Sequence, residues 1–236
     1  MNRKWHLCLL AGCVLQSLAM AGDGTAQVVR EGPGSCKAVA LTFDLCPVRQ
    51  GPGFDPALVD YLIEHEIPAT FFASGRWIER HDADMKKLLA VPFFELGTHG
   101  QVHAHLTTLN EDRQRAEIID AVDLLKSRYG VTAPLFRPPY GEYNNVTLSV
   151  VEKLALRFIL WNVVPGDPDP FMSAQKMLTH VTASARDGSV IVFHANGKGK
   201  HTREVVETLT RETFPKRGLR PVTVTELLSC SPQVKP

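Results

Sequence analysis

Apolar runs of strand length alternate along this chain with helical segments, and the connections between them are short. Residues 37–43 (KAVALTF), 69–73 (ATFFA), 93–97, 135–137, 157–163, 189–194 (SVIVFH) and 222–224 read as strands. Residues 56–66, 76–90, 111–129, 146–155, 173–184 and 203–209 read as helices, with 226–228 as a last turn. The strands are continuously apolar rather than alternating. That is the pattern of a parallel sheet covered on both faces. The helix over 111–129 is the clearest, with Ile118, Val122 and Leu125 on one face and Gly130 as its stop. A doubly wound sheet and a barrel both fit this rhythm. About seven βα units in one chain of 236 residues favour a compact barrel. No glycine-rich fingerprint follows the first strand, so no dinucleotide site is expected.

Charge and composition exclude several function classes. With 26 Lys+Arg against 25 Asp+Glu, the formal charge of +1 leaves no basic field for nucleic acid. Hydrophobic residues at 44% and charged residues at 22% are globular values, unlike disorder, collagen-like repeats or coiled coil. Arg3 and Lys4 precede an apolar run over 5–20, and Ala19-Met20-Ala21 has the small-x-small form of a signal cleavage site. The run is shorter than the ~20 apolar residues of a membrane span and contains His6, Gln16 and Ser17, so no stable span is expected. The expected organisation is a signal peptide over 1–21, an extension over 22–36, one folded domain over 37–229 and a tail over 230–236. Export would place the protein in the periplasm or outside the cell. Leu10-Ala11-Gly12-Cys13 has the form of a lipoprotein box, which would tether the protein to a membrane, but the apolar stretch after Cys13 argues against it. Cleavage after Ala21 leaves Cys36, Cys46 and Cys230, enough for one disulfide and one thiol. A Cys36–Cys230 bond and three free buried cysteines both remain open.

Polar side chains gather where the strands end. Asp44 ends the first, Thr98-His99 ends the third with His103 four residues on, and Arg137-Pro138-Pro139-Tyr140 follows the fourth. Asp167 lies just beyond the fifth strand and His194 ends the sixth. In a parallel barrel these ends share one face, where active sites are built. The i,i+4 spacing of His99 and His103 would let two imidazoles on a helical turn hold one divalent metal. His105 is a near neighbour.

Together Leu41-Thr42-Phe43-Asp44, Glu95-Leu96-Gly97-Thr98-His99 with His103, Phe136-Arg137-Pro138-Pro139-Tyr140, Trp161 with Asp167, and Ile191-Val192-Phe193-His194 resemble the five ordered motifs of the NodB-type polysaccharide deacetylases, a carbohydrate esterase family. Ala69-Thr70-Phe71-Phe72 resembles that family's second strand. The resemblance implies a deformed (β/α) barrel of about seven parallel strands. It also implies metal-dependent hydrolysis of N-acetyl, sometimes O-acetyl, groups on a glycan such as peptidoglycan, chitin oligomers, poly-N-acetylglucosamine or acetylated xylan. On this resemblance Asp44 is the general base, held ionised by Arg137. His99 and His103 bind the metal, Zn2+ first, with Co2+, Ni2+ or Mn2+ as the other ions. The Tyr140 backbone N–H, aimed by Pro138 and Pro139, completes an oxyanion site. His194 is the general acid, oriented by Asp167. Trp161 either packs on His194 or belongs to the core.

Two positions depart from the family pattern. Leu45 stands where a second acid would bind the metal, and Val164 where an acid often accompanies the fourth motif. Asp55, Cys46 and His105 are candidates for the third ligand, with Asp55 foremost, although Asp55-Pro56 also reads as a helix N-cap. The loss of a ligand keeps a second class open, a non-catalytic carbohydrate-binding protein on the same barrel.

Overall fold

The computed structural model describes residues 25–230, so the signal peptide and the Cys13 box lie outside the described residues. One eight-stranded sheet organises the chain. Its strands are β1 (Val28–Val29), β2 (Ala38–Leu45), β3 (Ala69–Ala73), β4 (Phe94–Thr98), β5 (Leu135–Phe136), β6 (Arg157–Ile159), β7 (Val190–His194) and β8 (Arg220–Val222). The spatial order is β1-β6-β5-β4-β3-β2-β7, with β8 also on β2, and every named pair is parallel. The sheet curls without closing: beyond β6, Val163 meets Ile191 of β7 through an isolated parallel bridge. This is the deformed barrel expected from the sequence.

The helices are α1 (Pro56–Glu64), α2 (Gly75–Arg80), α3 (Asp82–Leu89), α4 (Glu111–Tyr129), α5 (Asn145–Lys153), α6 (Ala174–Ser184), α7 (Thr202–Thr208), α8 (Phe214–Lys216) and α9 (Val224–Ser229). The clearest helix, α4, is capped at both ends. Asn110 accepts the Arg113 N–H at the start of α4, and Gly130 ends it in the left-handed region at φ 70°. The single helix expected over 76–90 is two, because His81 leaves helical geometry (φ −123°, ψ 48°) while its ring stacks on Trp77 and bonds Asp84. The strand expected at 222–224 ends at Val222, since Thr223 turns to cap α9 by accepting the Glu226 N–H. Two-residue β1 was too short to register as an apolar run.

Both faces of β2 are buried, and they have different jobs. Val39, Leu41, Phe43 and Leu45 point into the larger core with Leu58, Trp77 and Val205 of the helices. Phe43 stacks between Phe71 and Phe193 at 5.3 and 5.8 Å, burial that contributes roughly 2–3 kcal/mol per ring. Ala38 and Ala40 face a second core with Phe72 and Leu135. Strand period then puts Thr42 and Asp44 on that inner face, near its C-terminal mouth. Cys36 and Cys230 are disulfide-bonded (Cα–Cα 6.2 Å), tying the entry to β2 to the end of α9. Cys46 is free and buried. No helix among the described residues is long and apolar enough to cross a membrane.

Candidate active site

The C-terminal ends of the strands surround a cavity of about 390 Å3 lined by Asp44, Cys46, His99, His103, Tyr140, Trp161, Asp167 and His194 among others, within the size range of small-ligand sites. Residues from distant parts of the sequence thus converge where a parallel barrel gathers its strand ends.

Asp44 is 3% exposed and Arg137 fully buried. The guanidinium Nη1 donates to Asp44 Oδ1 at 2.7 Å, and Nη2 donates to the Leu160 carbonyl at 3.2 Å. Its Cζ lies 4.0 Å from the Phe72 ring centroid and 5.3 Å from that of Trp161. Gly97 leaves room for this arrangement, since a Cβ there would meet the Phe72 ring at 2.6 Å. Burial alone would raise the Asp44 pKa. The charges of Arg137, His99 and His194 outweigh it and hold the carboxyl below its ordinary value. The residue is therefore an anion at neutral pH, with Oδ1 fixed by Arg137 and Oδ2 3.7 Å from His99 Nε2.

His99 follows β4 directly. Its Nδ1 lies 2.9 Å from the Arg137 carbonyl, an acceptor only, so Nδ1 carries a proton and Nε2 is the nitrogen directed toward Asp44. His103 does not sit on the expected helical turn. The segment between the two histidines is irregular, and His103 is left-handed at φ 65°. The rings still meet, edge to face, with centroids 4.8 Å apart. Buried Glu117 of α4 holds this loop by accepting the Val102 and Ala104 N–H groups at 2.9 and 3.0 Å. Nothing in the sequence marks Glu117, which lies nearly two turns into α4 and reads as a surface acid.

The third ligand expected first, Asp55, is elsewhere. Its Oδ1 accepts the Leu58 N–H at 3.0 Å and caps α1. His105 stacks on the Tyr140 ring at 4.1 Å and bonds Glu142, on the exposed rim. The atoms that gather are those of Cys46, His99 and His103, all within 4.8 Å of one another. Burial would raise the Cys46 thiol, but hydrogen bonds with His103, His194 and His99 push it well below its usual value. This donor set, two imidazoles and an ionisable thiol, suits a divalent transition metal.

Opposite stands His194. Asp167, 3% exposed, accepts from the His194 backbone N–H through Oδ2 at 2.7 Å and faces His194 Nδ1 through Oδ1 at 3.1 Å. Thr202 donates to the same Oδ2 at 3.0 Å, a support the sequence reading missed. Burial would lower the His194 pKa. The Asp167 and Cys46 hydrogen bonds and the charges of Asp167 and Asp44 reverse this and raise it well above the ordinary histidine value. Trp161 covers the Arg137 guanidinium and lines the cavity wall. Tyr140 is left-handed at φ 59° in the turn after buried Pro138, with its ring 4.4 Å from that of His103. Val164 is half exposed at the cavity mouth.

Comparison with known proteins places the fold in a family. The family model described as polysaccharide deacetylase matches residues 31–159, more than half of the chain. A peptidoglycan-N-acetylglucosamine deacetylase of Bacillus cereus is 27% identical over 209 residues, covering 87% of this chain and 95% of that protein. The crystal structure of a peptidoglycan N-acetylglucosamine deacetylase superposes with a TM-score of 0.78 at 27% identity, covering 87% of this chain and 94% of that one. A carbohydrate esterase family 4 pseudoenzyme from Bacillus anthracis shares the fold with a TM-score of 0.77 at 22% identity, covering 87% of this chain and 70% of that one. A matched family model, homologues named for deacetylation and a strand-end cavity holding the family's motif residues lead to one conclusion: the chain belongs to the polysaccharide deacetylase family.

Proposed function

We propose that this protein is an exported, metal-dependent deacetylase that hydrolyses N-acetyl groups of a cell-envelope glycan, with peptidoglycan as the first substrate to test. The observation that carries the reading is the meeting, in one cavity, of an ionised carboxylate, a histidine pair and a separate carboxylate-supported histidine. A binding module has no use for a base and an acid held in opposite protonation states by dedicated partners. The Cys36–Cys230 disulfide supports export, because such bonds persist in oxidising compartments.

Acetamide hydrolysis requires a deprotonated water, a stabilised oxyanion and a protonated leaving amine. Asp44 Oδ2, free of Arg137, accepts the proton of the attacking water while Arg137 keeps the carboxylate ionised and oriented. His99 and His103 would hold a divalent metal, Zn2+ first, which would supply Lewis-acid polarisation of the acetyl oxygen and the water. The Tyr140 backbone N–H faces the developing oxyanion from the turn set by Pro138 and Pro139. His194 keeps its proton through Asp167 and delivers it to the amine nitrogen as the C–N bond breaks. Trp161 and Tyr140 give the sugar apolar surface at the cavity wall and mouth.

The test is acetate release from peptidoglycan, N-acetylated chitooligosaccharides and acetylated xylan, with and without chelator. Metal-dependent release from an N-acetylated glycan is expected. Absence of release from every N-acetylated substrate, with metal bound, would refute the reading and leave a carbohydrate-binding role.

A further inference from the structure

Resting on that reading, we infer that Cys46 is the third protein ligand of the metal site, a thiolate where a carboxylate was looked for. Leu45, the position that would carry the carboxylate, is fully buried in the helix-facing core with Val39, Leu41 and Phe43. Leu45 lies away from the cavity, whereas Cys46, the first residue after β2, lines it beside Asp44.

The Cys46 side chain is aimed by its backbone. The Leu45 carbonyl accepts from both the N–H and the hydroxyl of Ser74, at 3.3 and 3.1 Å. The Cys46 carbonyl accepts from Nδ2 of buried Asn196 at 3.3 Å. With both carbonyls held, the thiol lies among the two histidines. Its sulfur and their ring nitrogens fall within 4.8 Å of one another, so a contraction of about 1 Å brings them to the roughly 3.3–3.7 Å that one tetrahedral ion bonded at ~2.0–2.3 Å requires. Catalytic zinc takes three protein ligands and leaves a fourth position open, and a Cys-His-His set provides this with one negative charge from the thiolate. Binding releases the thiol proton to solvent. A thiolate also biases the site toward Zn2+ or Co2+ and away from Mg2+ or Mn2+.

The experiment is titration of the chelator-treated full chain with Co2+, read by absorption, beside Cys46→Ser, Cys46→Asp and His99→Ala. The wild type is expected to take up one cobalt with a thiolate-to-cobalt charge-transfer band in the near ultraviolet. The band should vanish in Cys46→Ser, with metal binding at least ~10-fold weaker. Cys46→Asp, which restores an anionic oxygen ligand, should bind cobalt without the band and so covers a Cys46→Ser variant that fails to fold. Cobalt bound by the wild type without the band, cobalt affinity unchanged in Cys46→Ser, or no cobalt bound at all would overturn the assignment. Acetate release separates this from the activity: release without the band removes Cys46 and keeps the deacetylase, and a band without release does the reverse.

Discussion

Replacing Arg137 with methionine isolates the electrostatic unit on which the site depends. The pair it breaks is almost fully withdrawn from water: Arg137 is 0% and Asp44 3% exposed, and their contact is 2.7 Å. Removing one partner of a buried pair strands the other charge, at a cost of about 3–5 kcal/mol. In a domain of this size that corresponds to a Tm decrease of roughly 6–20 °C. In the wild type the Asp44 pKa is depressed, so its contribution to stability is present above the ordinary carboxylate value and lost as pH falls through the depressed one. Without Arg137 its leading opposing charge is gone, burial drives the pKa upward, and the neutral acid becomes the favoured form. The destabilisation should therefore be full near neutral pH and shrink in acid. Arg137→Met with Asp44→Asn should be more stable than Arg137→Met alone, since no buried charge is stranded. Urea unfolding of the chelator-treated proteins across pH measures all three. A single variant with the wild-type midpoint at neutral pH, or a double variant less stable than the single, would refute the reasoning.

Asp167→Asn should lower kcat at least ~10-fold and move the alkaline limb of the pH–rate profile downward; the raised pKa keeps His194 protonated above the ordinary histidine value, and that protection depends first on the Asp167 hydrogen bond once burial is set aside. An unshifted limb would detach His194 from the acid role. Asp55→Ala should cost about 1 kcal/mol in urea unfolding through the lost cap and leave metal affinity, followed by Co2+ titration, at the wild-type value; weaker metal binding would return Asp55 to the site. Cys36→Ser should destabilise by ~2–5 kcal/mol, because the bond closes a sequence separation of 194; an unfolding midpoint insensitive to this change or to reductant would contradict the tie.

The sheet was legible because its strands are apolar runs and its helices carry stop and start signals, as at Gly130 and Asp55-Pro56. The motif residues were legible because parallel strands deliver their last side chains to one face, which places Asp44, His99 and His194 together. What escaped was tertiary. Asp55 has the chemistry of a ligand and also of a cap, and only the fold shows its oxygen spent on Leu58 N–H. Cys46 lies just past the end of β2, and only the fold shows it lining the cavity with Asp44 while Leu45 enters the core. Glu117 and Thr202 reach the site from helices, and no local pattern distinguishes such residues from surface polar positions. His81 breaks a helix by ring contacts with Trp77 and Asp84 that intrinsic propensity does not record.

Mass spectrometry of a peptidoglycan fragment or N-acetylated chitooligosaccharide, incubated with wild-type protein and with Asp44→Asn, tests the central claim most directly. The account predicts loss of acetyl groups, with free amines in their place, in the presence of the wild type. It predicts an intact glycan with Asp44→Asn, which should still bind that glycan because Asn keeps the shape and loses only the proton acceptor. A wild-type protein that binds the glycan and never deacetylates it, or an Asp44→Asn variant that turns over like the wild type, would contradict the account.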